Sequence, residues 1–262
     1  MLRHTRRCIF PTHLTTASPR PQHIAGAAVV GRCRPALKLT FPLNLNFLKA
    51  TYEIPFGHVE RPTNGEEEPG QSWIDVSGIV RGTDVAYGLS LLNDGKYSYD
   101  VGGREMSLTV LRSPIYAHHH PTLPQPGEPY AFIDQGIQQF TYALLPHTGS
   151  WEQAVTVRRA AELNARPIAL AETCHAGPLP QHDSFVAVDH ANIAVSAVKR
   201  AEDGDDLIVR AFETDKVATR ATIRLPKWGR AIEAVFGPCE IKTFRIPRDG
   251  ALPVVETNLL EW

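Results

Sequence analysis

Apolar residues in this chain recur at every second position over short runs, which is the pattern of β-strands with one buried face. Residues 37–41 (LKLTF) and residues 52–56 (YEIPF) both show this alternation. Similar runs follow along the chain and are separated by turn-forming residues, among the 21 prolines and 19 glycines that the sequence contains. Many short strands joined by turns are therefore predicted, and the predicted fold class is all-β.

The prediction is organised around residues 87–116, where strand patterns and reversals follow one another without a break. The leucines of residues 89–92 stop at residues 93–95 (NDG), which are residue types that tolerate the left-handed backbone of a tight turn. A second reversal falls at residues 102–103 (GG), and the following strand ends before Pro114, which has no N–H to donate. This stretch predicts a central hairpin.

One helix is predicted after the strand at residues 138–145. Ser150 and Gln153 have the spacing of a capping box, in which each side chain satisfies a backbone N–H of the first turn. Asn164 is a suitable last residue. The helix is expected to bury a face that carries three apolar residues: Trp151, Val155 and Ala161.

The sequence from 178 to 180 (PLP) indicates a boundary between two domains. Beyond it, turns at residues 189–190 and 203–205 separate short apolar runs. Strands are predicted over residues 185–188, 193–199, 207–212, 219–225, 231–236 and 240–246. This spacing is typical of an antiparallel sandwich.

Charge and cysteine content exclude several classes of protein. The formal net charge of −1 argues against a nucleic-acid partner, because phosphate binding needs an excess of clustered Lys and Arg. No apolar run approaches the length of a membrane span, so no membrane partner is expected. The four cysteines (Cys8, Cys33, Cys174 and Cys239) show no CxxC or zinc-finger spacing. A reducing, cytoplasmic location is therefore favoured over a disulfide framework.

Residues 1–35 differ in composition from the rest of the chain. They contain several arginines and no acid, since the first acidic residue is Glu53. Such a composition is typical of a transit peptide, while the apolar run at residues 24–31 is too rich in small residues for a good secretory signal. A leader unrelated to the following domain is the third interpretation, and it is preferred. Residues 1–35 are expected to be disordered or to lie outside the family region.

Six ordered motifs give the chain a resemblance to the C-terminal region of glycoside hydrolase family 38, the α-mannosidases, in their bacterial form. Residues 87–116 resemble the family's LLND-x-KYGYD turn and LTLLRSPIY-like strand, although Ser98 stands where glycine is usual. The other motifs are LKLTFPLNL (37–45), ATYEIPFGHVERPTN (50–64), FTYALLPHTGSW (140–151), KRAEDGDDLIVRAFE (199–213) and CEIKTFRIP (239–247). The resemblance covers residues 36–262.

The resemblance implies two all-β domains. Residues 36–178 correspond to a partial large β-sandwich of the galactose-mutarotase-like type, and residues 179–262 to a smaller antiparallel β-sandwich. The family's C-terminal region has further strands before Ala36. Residues 37–56 are therefore expected to include exposed sheet edges.

In the family, the chemistry lies in an N-terminal α/β barrel followed by a helical bundle. The resemblance implies a retaining mechanism with two carboxyl groups, and a divalent metal, usually zinc, held by His and Asp. Neither segment is recognised in this sequence, so no catalytic residue, no metal ligand and no cofactor are assigned within it. The central carboxylates, which are Asp94, Asp100, Glu105 and Asp134, are interpreted as capping or solvated groups.

The resemblance also implies that loops of the large sandwich complete the rim of the substrate cleft. The best candidate is the loop between Arg112 and Asp134, with Tyr116 beside its entry. Arg112 could donate to sugar hydroxyls and Asp134 could accept from them, although an Arg112–Asp134 ion pair across the loop base is an equal alternative. The turn residues that match the family motif are Asn93, Asp94, Lys96 and Tyr97.

Four histidines in this part of the sequence are candidate ligands: His118, His119, His120 and His147. Consecutive side chains of an extended segment point alternately, so His118, His119 and His120 are interpreted as an exposed polar loop rather than a metal site. His147 is expected to hold its turn through hydrogen bonds.

Three functions remain open. The first is the C-terminal portion of an α-mannosidase, which packs on the missing barrel and bundle, helps to bind an α-mannoside and is inactive alone. The second is a free-standing carbohydrate-binding module, which would need an intact sandwich. The third is a hydrolase with its own site in the central loop, which the lack of metal ligands disfavours.

Overall fold

The computed structural model describes residues 36–117, 123–173, 176–178 and 180–262, together with the backbone of residues 2–8. The chain divides into two compact units. Unit 1 comprises residues 1–53 and 60–154, and unit 2 comprises residues 54–59 and 155–262. All strand pairs with a described register are antiparallel, which confirms the all-β class.

Two antiparallel sheets belong to unit 1, except that Ile54 of β3 and residues 57–59 of β4 are assigned to unit 2. The six-stranded sheet has the order β1-β10-β7-β6-β3-β4, and the four-stranded sheet has the order β2-β9-β8-β5. The strands are β1 (Leu2–Cys8), β2 (Ala36–Pro42), β3 (Leu45–Ile54), β4 (Gly57–Arg61), β5 (Glu67–Pro69), β6 (Trp73–Val80), β7 (Ala86–Asn93), β8 (Ser98–Gly102), β9 (Glu105–Arg112) and β10 (Gln138–Thr148).

Aromatic side chains join the two sheets of unit 1. The rings of Tyr52 on β3 and Tyr99 on β8 lie edge to face, with 6.1 Å between their centroids. Phe41 on β2 and Tyr142 on β10 lie 5.9 Å apart. Because each pair takes one residue from each sheet, the sheets pack face to face as a β-sandwich, as predicted.

The reversal at residues 102–103 is a hairpin, because β8 and β9 pair directly. The turn at residues 93–95 is not, since β7 and β8 belong to different sheets. It carries the chain from one layer of the sandwich to the other. The turn chemistry at residues 93–95 was therefore predicted correctly, and the predicted central hairpin is formed at the second reversal, by β8 and β9.

Unit 2 contains a smaller sandwich. Its three-stranded sheet has the order β11-β14-β15, and its four-stranded sheet has the order β12-β13-β16-β17. The strands are β11 (Ala187–Val188), β12 (Ile193–Arg200), β13 (Leu207–Glu213), β14 (Thr219–Leu225), β15 (Arg230–Phe236), β16 (Ile241–Ile246) and β17 (Val255–Thr257). Both sheets contribute to one buried apolar cluster, which includes Val209, Ile223, Phe236 and Phe244. The predicted C-terminal sandwich is confirmed.

The helix α1 (Thr156–Asn164) begins later than predicted and ends at the predicted residue. Ser150 and Gln153 do exchange hydrogen bonds, but they stabilise a turn before the helix. Val155, in a left-handed conformation with φ of 50°, separates this turn from α1. Of the expected face, Trp151 is buried but lies before the helix. The buried residues of the helix itself are Thr156, Ala160 and Leu163 rather than Ala161.

The sheet edges only partly follow the prediction. β2 is an edge strand of the four-stranded sheet, but β3 lies between β6 and β4. Residues 2–8, where little order was expected, form β1 on the outer side of β10. Residues 9–35 lie outside the described residues, and the leader and the boundary at residue 178 stay predictions. No helix in the described part of the chain is long and apolar enough to cross a membrane.

Candidate functional site

The turn after β7 is held by the side chain of Asn93, which is fully buried. Its Oδ1 accepts hydrogen bonds from the N–H groups of Gly95 (3.0 Å) and Lys96 (2.6 Å). Its Nδ2 donates to the hydroxyl of Tyr99 (2.6 Å), which in turn donates to the carbonyl of Gln71 (2.5 Å). Asn93 therefore acts as a structural residue that fixes the turn on the neighbouring layer.

The remaining turn residues bind to the first residues of β10. Asp94 Oδ1 accepts from the N–H of Thr141 (2.6 Å), and Lys96 Nζ donates to Gln138 Oε1 (3.0 Å). The same ammonium lies 5.7 Å from the centre of the Phe140 ring. Tyr97 is different, because 57% of it is exposed. Of the motif residues in this turn, Tyr97 is the one whose side chain is most open to a ligand.

The loop between β9 and β10 is closed at its base by backbone pairing. Ile115 and Phe132 form an antiparallel bridge, and the N–H of Ile133 donates to the carbonyl of Pro114 (3.1 Å). Ser113, which is almost fully buried, donates to the carbonyl of Ile133 (2.8 Å) and accepts from Gln135 Nε2 (2.5 Å). The two ends of the loop are thus fixed side by side.

The predicted rim residues stand at this loop. Arg112 ends β9 and is exposed, as is Asp134, whose φ is 55°. Tyr116 is 68% exposed. Within the described part of the chain, no ion pair joins Arg112 to Asp134, so the alternative of a structural pair at the loop base is not observed. His118, His119 and His120 lie outside the described residues.

The turn and the loop lie at the same end of the unit 1 sandwich. Lys96 bonds to Gln138, the residue at which the loop enters β10. Arg112, at the other end of the loop, is the last residue of β9. β9 pairs with β8, which begins just after the turn. We call this group of residues, Tyr97, Arg112, Tyr116 and Asp134, the rim. Its polar and aromatic side chains are suited to hydrogen bonding and stacking with a hydroxylated ligand.

A buried polar cluster on the six-stranded sheet was not predicted as a group. Asp75, which is 1% exposed, accepts hydrogen bonds from Ser77 (2.5 Å) and Ser90 (2.7 Å). His147 Nε2 lies 2.8 Å from the same carboxylate. The hydrogen bond of His147 is structural, as expected, but it reaches Asp75 on β6 rather than the turn that follows His147. The alternation along β6 predicts that Trp73, Asp75 and Ser77 share one face. That His147 of β10 lies near this face follows only from the strand order β10-β7-β6.

Two other carboxylates have pKa values that depend on their surroundings. Burial raises the pKa of Glu53, although the N–H and hydroxyl of Ser72 donate to it at 2.5 and 2.6 Å. In the four-stranded sheet, the hydroxyl groups of Ser98 and Thr109 lower the pKa of Glu67. Both groups are engaged with protein donors, which indicates structural roles.

Asp100, one of the central carboxylates, lies in an ion pair on β8. Its Oδ2 accepts from Lys38 Nζ at 2.7 Å, and this bond raises the pKa of Lys38. Glu105 stands exposed at the start of β9. The central carboxylates thus occupy a turn, two strands and a loop.

A divalent metal does not fit the described residues. Among them, no group of three or more His, Cys, Asp and Glu side chains is arranged to hold a metal ion.

Two family models match separate parts of the chain. Residues 27–126 match the C-terminal domain of the glycosyl hydrolases family 38. Residues 192–235 match the family 38 C-terminal β-sandwich domain. The first match begins ahead of Ala36, where the sequence resemblance was placed.

Sequence relatives are α-mannosidases by name. Alpha-mannosidase G of Dictyostelium discoideum is 33% identical over 184 residues, which make up 65% of this chain and 15% of that protein. Alpha-mannosidase 2C1 of Mus musculus is 34% identical over 189 residues, or 68% of this chain and 16% of that protein. The chain thus spans only a small part of the length of these relatives.

Solved structures show the same fold. A protein of glycosyl hydrolase family 38 from Enterococcus faecalis matches with a TM-score of 0.66 and 21% identity, over 81% of this chain and 26% of that one. An alpha-mannosidase from the same organism matches with a TM-score of 0.64 and 20% identity over the same shares. At this identity the likeness concerns the fold alone.

Proposed function

Because this chain belongs to glycosyl hydrolase family 38, as a C-terminal region of the family, we propose that it serves an α-mannosidase that hydrolyses terminal α-D-mannosides. The observation that carries the proposal is the match of about two thirds of the chain to proteins named α-mannosidase. The activity belongs to the complete enzyme. The chain by itself is inactive.

In this proposal the rim completes the carbohydrate-binding cleft, while the large sandwich packs on the catalytic barrel. The Arg112 guanidinium donates to sugar hydroxyls and the Asp134 carboxylate accepts from them. The rings of Tyr97 and Tyr116 offer apolar faces to the sugar. Their exposure supports this role, because none of the four side chains is buried in the core of unit 1. The barrel and the helical bundle are the partners.

The metal and the cellular location are inferred in the same way. The metal of the family, zinc or another divalent ion, is proposed to bind in the portion that this chain does not span. A cytoplasmic location is proposed from the cysteine spacing.

The test is hydrolysis of an aryl α-mannoside in the presence of zinc. The purified chain is assayed alone and after mixing with the N-terminal portion of the Dictyostelium relative, ended where its match with this chain begins. No activity from either piece and hydrolysis by the mixture would support the proposal. Zinc-dependent hydrolysis by the chain alone would overturn it. Retention on mannose resin without any restored hydrolysis would favour the free-standing binding module.

A further inference from the structure

The six-stranded sheet of unit 1 ends in a strand that lies outside the family match. β1 pairs with β10 in a register that runs from Leu2 opposite Leu144 to Cys8 opposite Gln138. The first family match begins only at residue 27. β10 lies beyond the end of that match, at residue 126, but it carries most of the family-like motif FTYALLPHTGSW (140–151), whereas β1 carries none of the six motifs.

The direction of the backbone groups on β10 shows what β1 covers. The carbonyl of Thr141 accepts from the N–H of Asp94, and its own N–H donates to Asp94 Oδ1. Successive residues of an antiparallel strand direct their backbone groups to opposite sides. The N–H and C=O groups of Phe140 and Tyr142 therefore point toward β1. Without β1 they would form an open edge, which is a template for another strand.

We propose that the β10 edge, the backbone of residues 138–144, is a strand-addition site for an extended segment of the family 38 polypeptide that this chain does not span. β1 occupies the site in place of that segment. The inference rests on the proposed function, because its partner is the rest of an α-mannosidase. In this mode of recognition, main-chain hydrogen bonds supply the affinity.

Two observations favour this partner over a second copy of the chain. The matched stretch is 15 to 16% of the relatives, so most of a family polypeptide remains to supply the segment. In addition, the sequence of β1 contains Arg3, Arg6 and Arg7, and no acidic residue precedes Glu53. Basic edge strands resist further pairing, so two copies are not expected to join through β1.

The register is tested first, with the native Cys8. Side chains directly opposite each other in an antiparallel pair share a face, and those one residue along do not. In the full chain, Gln138→Cys is expected to give a disulfide to Cys8 under mild oxidation, detected by non-reducing peptide mapping. Gln139→Cys is the matched control. Equal cross-linking by the two variants would show that β1 is not held in this register, and would overturn the inference.

Proline substitutions then open the edge selectively. Arg6 lies opposite Phe140, so its N–H points at β10, while the N–H of Thr5, opposite Thr141, points away. Arg6→Pro should release β1, whereas Thr5→Pro should be tolerated. Amide hydrogen exchange of Phe140 and Tyr142 is expected to accelerate at least about tenfold in Arg6→Pro alone, for a bond of about 1.4 kcal/mol, with Thr141 unchanged. Unchanged exchange in both variants would contradict the arrangement.

The partner is tested with the same N-terminal portion of the Dictyostelium relative. It should bind the Arg6→Pro chain more tightly than the Thr5→Pro chain, because no tethered strand competes, and binding should slow exchange at Phe140 and Tyr142. Equal affinity with unchanged exchange at β10 would overturn this inference, yet hydrolysis restored in both mixtures would leave the proposed function standing. Self-association of the Arg6→Pro chain would assign the edge to a second copy. No binding and no hydrolysis would overturn both.

Discussion

At the scale of single residues, Asp75 shows how unit 1 accommodates a buried carboxyl group. Three strands supply its partners, because Ser77 lies on β6, Ser90 on β7 and His147 on β10. Gly88 makes room for this arrangement. A Cβ atom at that position would lie 2.3 Å from His147 Cε1 and 2.7 Å from Ser77 Oγ. Glycine is therefore required by the close approach of the histidine ring.

Gly88→Ala is expected to destabilise the protein. The methyl group must displace the His147 ring from Asp75, and overpacking of this kind costs about 1–3 kcal/mol. Chemical denaturation monitored by tryptophan fluorescence measures the change. Gly95→Ala is the control, because a Cβ there would meet only ordinary contact, 4.0 Å from Phe140 Cβ. A Gly88→Ala protein as stable as the Gly95→Ala protein would show that the cluster accommodates the added methyl group without loss of packing.

Glu53 gives unit 1 a pH dependence of defined sign. Its pKa is raised above 4.5 by burial, so the folded state holds the proton more tightly than the unfolded state does. Its contribution to stability is therefore greatest when it is protonated and falls as the pH rises from about 4.5 through the raised folded pKa.

Glu53→Gln should remove this loss. The amide oxygen can still accept from Ser72. The free energy of unfolding of the variant should therefore increase relative to that of the original chain as the pH rises from 4.5 to 7. Urea denaturation across this range gives the comparison. A constant difference between the Glu53→Gln variant and the original chain across this range would contradict the assignment.

At the scale of elements, the two ends of the loop between β9 and β10 are held together by hydrogen bonds. Its base is a short two-stranded ladder around the Ile115–Phe132 bridge, and Ser113 ties the two sides together. The interior of the loop includes residues 118–122, outside the described part. The position of the rim is therefore set by the base, which belongs to the sheet.

Ser113→Ala should loosen the loop base without unfolding the sandwich. The substitution removes two hydrogen bonds, to the Ile133 carbonyl and from Gln135 Nε2, and each costs about 1 kcal/mol. The backbone pairing at the loop base should therefore open more often. Amide exchange of Tyr116 and Ile133, whose N–H groups donate across the base, should accelerate. Thr83→Ala removes a comparable bond to Val80 at an exposed turn and should leave those amides unchanged. If both variants leave them unchanged, Ser113 does not hold the loop.

At the scale of the whole molecule, the chain consists of two sandwiches, each with its own core. The rim belongs entirely to unit 1. Its proposed contribution is to substrate binding in an assembled enzyme rather than to folding. That separation gives a test in which activity and stability respond differently.

Arg112→Ala and Asp134→Gly should each lower kcat/KM of the reassembled enzyme by about tenfold, since a hydrogen bond to a charged group is worth about 1.5–3 kcal/mol. Glycine is used at position 134 because the φ of 55° there would strain alanine. Thermal unfolding of the isolated chain should change little, because both side chains are exposed and unpaired with each other. Glu105→Ala, at the opposite end of β9, is the control and should retain full activity. Activity that is unaffected by all three substitutions would remove the rim from the substrate cleft.

Particular residues show how far prediction from sequence reached. The period-two runs located most strands, since alternation depends on local chain geometry. The reversal at residues 102–103 was located from its two glycines, which are also a local signal. The start of α1 was misplaced, because a left-handed Val155 interrupts a pattern that looks continuous in sequence. The cluster around Asp75 was not foreseen as a group, because its members lie up to 72 positions apart and meet only through strand pairing.

The sequence by itself determined the all-β class, the turn chemistry around Asn93 and the family resemblance, because each depends on residues that are close together in the chain. Only the tertiary structure decided that this turn joins two sheets, that β1 covers the edge of β10, and that Arg112 and Asp134 stand exposed rather than paired. These features depend on which strands become neighbours. Strand order is set by the burial of whole sheet faces, and it cannot be predicted from a local sequence pattern.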